Sequence, residues 1–73
     1  MTTYLKRMRD LREDNDMNQE QIAKILNITR QQYQLYESGK RKIPIDKLIE
    51  ICRFYKVSAD YILGFIDTPR KLK

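Results

Sequence analysis

Apolar residues recur along this chain at intervals of three and four, and that period predicts five short helices. The first covers Thr3 to Asp14, where Leu5, Met8 and Leu11 form a narrow stripe. Lys6, Arg7, Arg9 and Arg12 share it with Asp10, Glu13 and Asp14, an alternation that reads as a solvated face. The second runs from Gln19 to Leu26, with Ile22, Ala23 and Leu26 facing inward. Asn18 suits its N-cap, and Gln21 three residues later suggests a capping box. Asn27 ends it, since Asn tolerates the left-handed backbone of a sharp exit. The third begins almost at once, from Arg30 to Ser38, with Thr29 and Gln32 repeating the cap pattern and Gly39 as its stop. Ile28, apolar inside the turn, is expected to pack between the second and third helices.

Pro44 fits the first turn of a fourth helix. Along it, Ile45, Leu48, Ile49, Cys52 and Tyr55 hold a helical period, while Phe54 falls off the stripe. Ser58 can cap a fifth helix, with Tyr61, Ile62 and Leu63 apolar and Gly64 ending it. The expected fold is therefore all-α, in one unit over residues 1–67, followed by a basic tail over 68–73.

Composition narrows the class. Of 73 residues, 41% are apolar and 34% charged, a mix that suits a small packed domain better than a disordered chain. A single cysteine, Cys52, excludes an internal disulfide and fits a reducing compartment. No apolar run reaches membrane-spanning length and no signal peptide is visible, so a cytoplasmic location is expected. Histidine, a Gly-rich phosphate loop and a metal-ligand cluster are all missing from the sequence. Enzymatic activity is accordingly disfavoured, and no cofactor, metal or small-molecule substrate is expected.

Charge changes the picture more. The net charge is +5, which suggests a polyanionic partner. Residues 1–28 carry five cations and five carboxylates, whereas Thr29–Lys42 carries Arg30, Lys40, Arg41 and Lys42 against Glu37 alone. The tail adds Arg70, Lys71 and Lys73. On a helical wheel Arg30, Gln31, Gln34 and Leu35 share one side of the third helix, opposite Gln32, Tyr33 and Tyr36. Arg pairs bidentately with guanine and Gln with adenine, so this side carries the chemistry of base reading. Arg and Gln also decorate ordinary solvated helix faces. The tight turn before the helix and the basic loop after it favour the first reading.

At this point the chain resembles a known family. The stretch from Asn18 to Arg30 is similar to the helix-turn-helix of the phage-repressor (Cro/C1, or XRE) regulators. Tyr36-Glu37-Ser38-Gly39-Lys40-Arg41 resembles their signature after the recognition helix, and Val57 to Gly64 their closing helix. The resemblance implies a compact five-helix, lambda-repressor-like domain with the third helix in the DNA major groove. It implies phosphate binding by Gln19 and by Gly39, Lys40, Arg41 and Lys42. Base contacts would come from Arg30, Gln31, Gln34 and Leu35. Binding as a homodimer to a palindromic operator is also implied. Three positions depart from the pattern. Asn27 and Lys56 stand where glycine is common, and Lys56 suggests a different end to the fourth helix. Leu35 stands where many relatives carry a polar reader; it offers a thymine methyl an apolar contact instead.

Other residues read two ways. Cys52 reads as a small core residue or a redox sensor, and Tyr33 and Tyr36 as core or base-stacking groups. Phe65 and Ile66 either cover the core or form a self-complementary dimer contact. A sequence-specific transcriptional regulator, simplest as a repressor, is the leading expectation. A protein-interaction module, such as an antitoxin or adapter using Phe54, Phe65 and Ile66, is the alternative; it would leave Arg30 and Gln31 dispensable.

Overall fold

Two capping boxes set the centre of the molecule. In the computed structural model, which describes residues 3–68, Asn18 Oδ1 accepts from Gln21 N at 2.8 Å while Gln21 Oε1 accepts from Asn18 N at 2.8 Å. Thr29 and Gln32 repeat the exchange at 3.1 and 2.9 Å. These boxes start α2 (Gln19–Ile25) and α3 (Arg30–Glu37); α1 spans Thr3–Asp14, α4 Ile45–Tyr55 and α5 Ala59–Leu63. No strand occurs among the described residues. The expected all-α, five-helix architecture is therefore what the chain forms. The ends differ slightly from expectation: Leu26 and Ser38 are C-caps, and Pro44 is the N-cap of α4 and not a residue of its first turn. Of the basic tail assigned to 68–73, only Thr68 lies within the described residues.

The turn between α2 and α3 closes as a Schellman motif. Asn27 takes the left-handed conformation (φ 59°), Asn27 N donates to Lys24 O at 3.1 Å, and Ile28 N donates to Ala23 O at 3.0 Å. Ile28 is half-buried against the core, as its position in the turn suggests. Two helices joined so tightly cannot splay, and α2 packs on α3 along its length. Lys47 of α4 adds a brace, its Nζ donating to Leu26 O at 2.8 Å. Helix α1 packs on α3 and α5, and α4 on α5.

The core is built from Met8, Ile22, Ala23, Leu26, Tyr33, Tyr36, Leu48, Ile51, Cys52, Val57 and Ile62. Full burial of the Leu, Ile, Val and Met side chains among these stabilises by about 1.5–3 kcal/mol each. Tyr33 and Tyr36 are core residues, as is Cys52, whose thiol burial pushes up in pKa; it sits there as a protonated small hydrophobe. The α4 stripe differs from expectation. Leu48 and Cys52 point inward, but Ile45 and Ile49 are exposed, and Ile51 is the fully buried residue. Lys56 also departs from expectation. It adopts the backbone of the glycine it replaces (φ 59°, ψ 43°), so α4 ends as it would with glycine.

The mixed-charge face of α1 is only partly solvated. Arg7 stacks over the Tyr61 ring at 4.3 Å and donates to Tyr61 O and to Ile66 O, the latter at 2.6 Å. Arg12 is drawn inward against α3. Both lie on the apolar side of α1, where the alternation of charges concealed them.

Candidate nucleic-acid interface

Helix α3 divides its residues as its wheel requires. Tyr33 and Tyr36 are buried, Arg30, Gln31 and Gln34 are exposed, and Leu35 is half-buried beside them. Gln32 does not face inward with the tyrosines; it is exposed, and its side chain is engaged in the Thr29 cap. The outer face of α3 is thus four side chains wide, with three capable of directional hydrogen bonds.

Shallow clefts flank this face. One holds Arg30 and Gln31 against Glu20, Ala23, Lys24, Ile28 and Thr29 of α2 and the turn. A second brings Arg30 together with Arg12, Asn18, Gln19 and Glu20. A third brings Gln34 together with Gln19, Glu37, Ser38 and the α1 residues Leu5, Lys6 and Arg9. Gln19 therefore stands between the two ends of the α3 face, half-buried at the start of α2.

The basic loop continues the same surface. Gly39 takes φ 82°, a backbone that favours glycine, and a Cβ there would begin 2.8 Å from the tip of the Leu5 side chain, which would have to shift. Gly39 N donates to Tyr36 O at 3.2 Å and Arg41 N to Leu35 O at 3.1 Å, which folds the loop back over the end of α3. Lys40, Arg41 and Lys42 are all exposed. Among the described residues, none of Arg30, Lys40, Arg41 or Lys42 has a carboxylate within 4.0 Å. Phe65 and Ile66 lie elsewhere, beyond α5 and against α1. Phe65 is 76% exposed, whereas Ile66 is half-buried with its carbonyl held by Arg7.

Behind the face sits a pair that the sequence reading missed. Arg12 Nε and Nη2 donate to the two Glu37 oxygens at 3.0 and 2.9 Å, and Nη1 donates to Met17 O at 2.9 Å. The side chains are 12% and 6% exposed. Gln19 Nε2 approaches the same carboxylate at 3.5 Å. Burial pushes the Glu37 carboxyl up, but the Arg12 guanidinium and the donors of Tyr33 and Gln19 outweigh it, so the group stays below the usual carboxylate range. The bond to Glu37 in turn raises Arg12. Tyr33 is raised strongly, first by burial and then by Glu37. The pair thus links α1, the start of α2 and the end of α3. A signal for it existed in the sequence: a carboxylate in the last turn of a helix opposes the helix dipole and calls for a counter-charge. Arg12 lies four residues from Met8, on the inward side of α1.

Among the described residues there is no acidic or Cys cluster able to hold a metal ion, and no helix is long and apolar enough to cross a membrane.

Comparison with known proteins agrees with this geometry. The model of a family described as "Helix-turn-helix" matches residues 8–62. The chain is 42% identical over 66 residues to YobD, an uncharacterized HTH-type transcriptional regulator of Bacillus subtilis (strain 168), covering 90% of this chain and 59% of that protein. It is 30% identical over 72 residues to the cryptic phage CTXphi transcriptional repressor RstR of Vibrio cholerae, covering 96% and 65%. It is 32% identical over 66 residues to the HTH-type transcriptional regulator ImmR of Bacillus subtilis (strain 168), covering 90% and 52%. The chain thus spans between about half and two thirds of the length of these relatives. No solved structure matches it significantly.

Proposed function

The chain belongs to the helix-turn-helix family of phage-repressor (Cro/C1) type, and from that premise we propose that it is a sequence-specific double-stranded DNA-binding regulator of transcription, acting as a repressor in the cytoplasm. The observation that carries this is the outer face of α3. Arg30, Gln31, Gln34 and Leu35 project from one helix beside uncompensated cations, on a scaffold held rigid by the α2–α3 turn. Residues 1–67 form the DNA-binding unit. Arg30, Gln31 and Gln34 read base edges and Leu35 meets a thymine methyl. Gln19 and the Gly39–Lys42 loop hold phosphates on either side. Blocking polymerase by occupancy needs no catalytic group, cofactor or small-molecule site. That one relative is named a transcriptional repressor, and the others transcriptional regulators, supports the repressor reading.

The test is selection from a pool of random duplexes, repeated with Arg30→Ala and Gln31→Ala at several salt concentrations. The expected product is a palindrome with half-sites about 34–36 Å apart, bound by a homodimer. Each substitution should relax preference at its own base position by about 1–3 kcal/mol, with the salt dependence kept for Gln31→Ala. Weak binding with no enrichment, indifferent to both substitutions, would overturn the reading and turn attention to a protein partner at Phe65.

A further inference from the structure

The cleft between α1 and the end of α3 has a volume of about 350 Å³ and sets α1 residues that the DNA-binding reading does not otherwise use beside Gln19 and Gln34, which it does. One wall is Leu5, Lys6 and Arg9; the other is Gln19, Gln34 and Ser38, with Glu37 at the join. The polar groups there are not equally free. Lys6 is held by Asp10 at 2.7 Å, the Ser38 hydroxyl already donates to Leu35 O at 3.2 Å, and Glu37 is neutralised by Arg12. Arg9 is different: it is exposed and, among the described residues, has no carboxylate within 4.0 Å. Across the cleft, the exposed Gln34 amide makes no side-chain hydrogen bond among the described residues. A cation and an amide facing one concave space form a site for an anionic oxygen. Gln34 belongs to the face that would read bases, so the anion nearest to hand is a backbone phosphate beside those bases.

We propose that Arg9 of α1 clamps a DNA phosphate across this cleft, adding α1 to an interface otherwise formed by α3, the start of α2 and the basic loop. This rests on the DNA-binding reading and deepens it. Arg9 carries no sequence information; it adds a phosphate contact from α1 to those of Gln19 and the Gly39–Lys42 loop, and so helps fix α3 in the groove.

The experiment uses the full chain and its selected duplex. Affinity is measured against salt for the wild type, Arg9→Ala, Arg9→Lys, Arg41→Ala as a loop control and Arg53→Ala as a control on α4. Each duplex phosphate is also replaced singly by a neutral methylphosphonate. Arg9→Ala should lower the slope of log affinity against log salt by about 0.9 per half-site, for the selected and for random duplexes alike. Arg9→Lys should keep most of the slope, and Arg53→Ala all of it. One methylphosphonate position should weaken the wild type and leave Arg9→Ala indifferent. Arg9 is exposed, so the variant should fold with an unchanged melting temperature, which is checked alongside. If the wild type binds its duplex while Arg9→Ala changes neither slope nor methylphosphonate pattern, the clamp is overturned and the DNA-binding reading stands. If the wild type selects no duplex, that reading falls first.

Discussion

Glu37 ends α3 where the helix carbonyls repel a carboxylate, and it is buried there at 6% side-chain exposure. Only its bidentate pairing with Arg12, supported by Tyr33 and Gln19, makes that position tolerable. Removing one partner leaves an uncompensated charge, which costs about 3 kcal/mol at the lower end for buried pairs. A small domain holds only about 5 kcal/mol in total. Glu37→Ala and Arg12→Ala should therefore each unfold at far lower urea concentration, even though neither residue need touch DNA. The pH dependence follows from the direction of the shift. Glu37 has a folded pKa below its unfolded value, so its contribution is complete above the ordinary carboxylate range and is lost as pH falls through the folded pKa. Urea midpoints measured from pH 7 to pH 3 should fall on the acid side for the wild type. They should fall more shallowly for Glu37→Gln, which has no carboxylate to protonate; equal slopes would remove the pair from the account. A partly buried tyrosine at the edge of the core behaves oppositely in sign. Burial pushes Tyr55 up to about 12, so its contribution persists below pH 10 and is lost as pH rises through the folded value.

At the scale of the element, the sequence is most legible where signals are local. Asn18 with Gln21, Thr29 with Gln32 and Ser58 before α5 are caps whose partners lie three residues away, and all form. The stripe of α4 was less legible because apolar residues occur all round that helix, and a period alone does not rank Ile49 against Ile51. The packing of α5 on one side decides it. Arg7 and Arg12 escaped for a related reason: a charge pattern does not say which cation will find a partner fifty-four or twenty-five residues away. Lys56 shows a local signal overruled. A left-handed backbone costs a non-glycine residue about 1–2 kcal/mol, yet α4 must end there for Val57 N to reach Cys52 O at 3.1 Å. Glycine also loses more freedom on folding, so Lys56→Gly should give a net gain of about 0.5–1 kcal/mol, or roughly 4 °C in melting temperature. Lys56→Ala should give none, because it keeps the strain. A calorimetric scan of the two variants separates the cases.

At the scale of the whole molecule, two copies on one duplex would meet across an exposed surface, and the edge beyond α5 offers one. Phe65 is exposed, yet its backbone is fixed: Phe65 N donates to Asp60 O at 2.8 Å, Arg7 holds the carbonyls of Tyr61 and Ile66, and Gly64 sits close against Thr3. An anchor on an already ordered backbone loses little entropy when it is covered. Area sets the limit. One aromatic buries about 150–250 Å², whereas a stable interface needs about 1,000 Å². A contact centred on Phe65, even with help from the exposed Leu63, is too small to hold a dimer free in solution at micromolar concentration. Two half-sites on one duplex change that, because the second copy then arrives at a local concentration in the millimolar range. The expected behaviour is a monomer by sedimentation that fills a two-half-site duplex cooperatively. Phe65→Asp should keep the fold, since exposed substitutions shift stability by about 0.5 kcal/mol or less. It should also keep the affinity for a single half-site and lose the cooperativity. Arg7→Ala should lose part of the cooperativity with Phe65 intact, because the loop that presents the ring is then no longer held. If the wild type fills the two half-sites independently, or Phe65→Asp stays fully cooperative, this edge is not the contact.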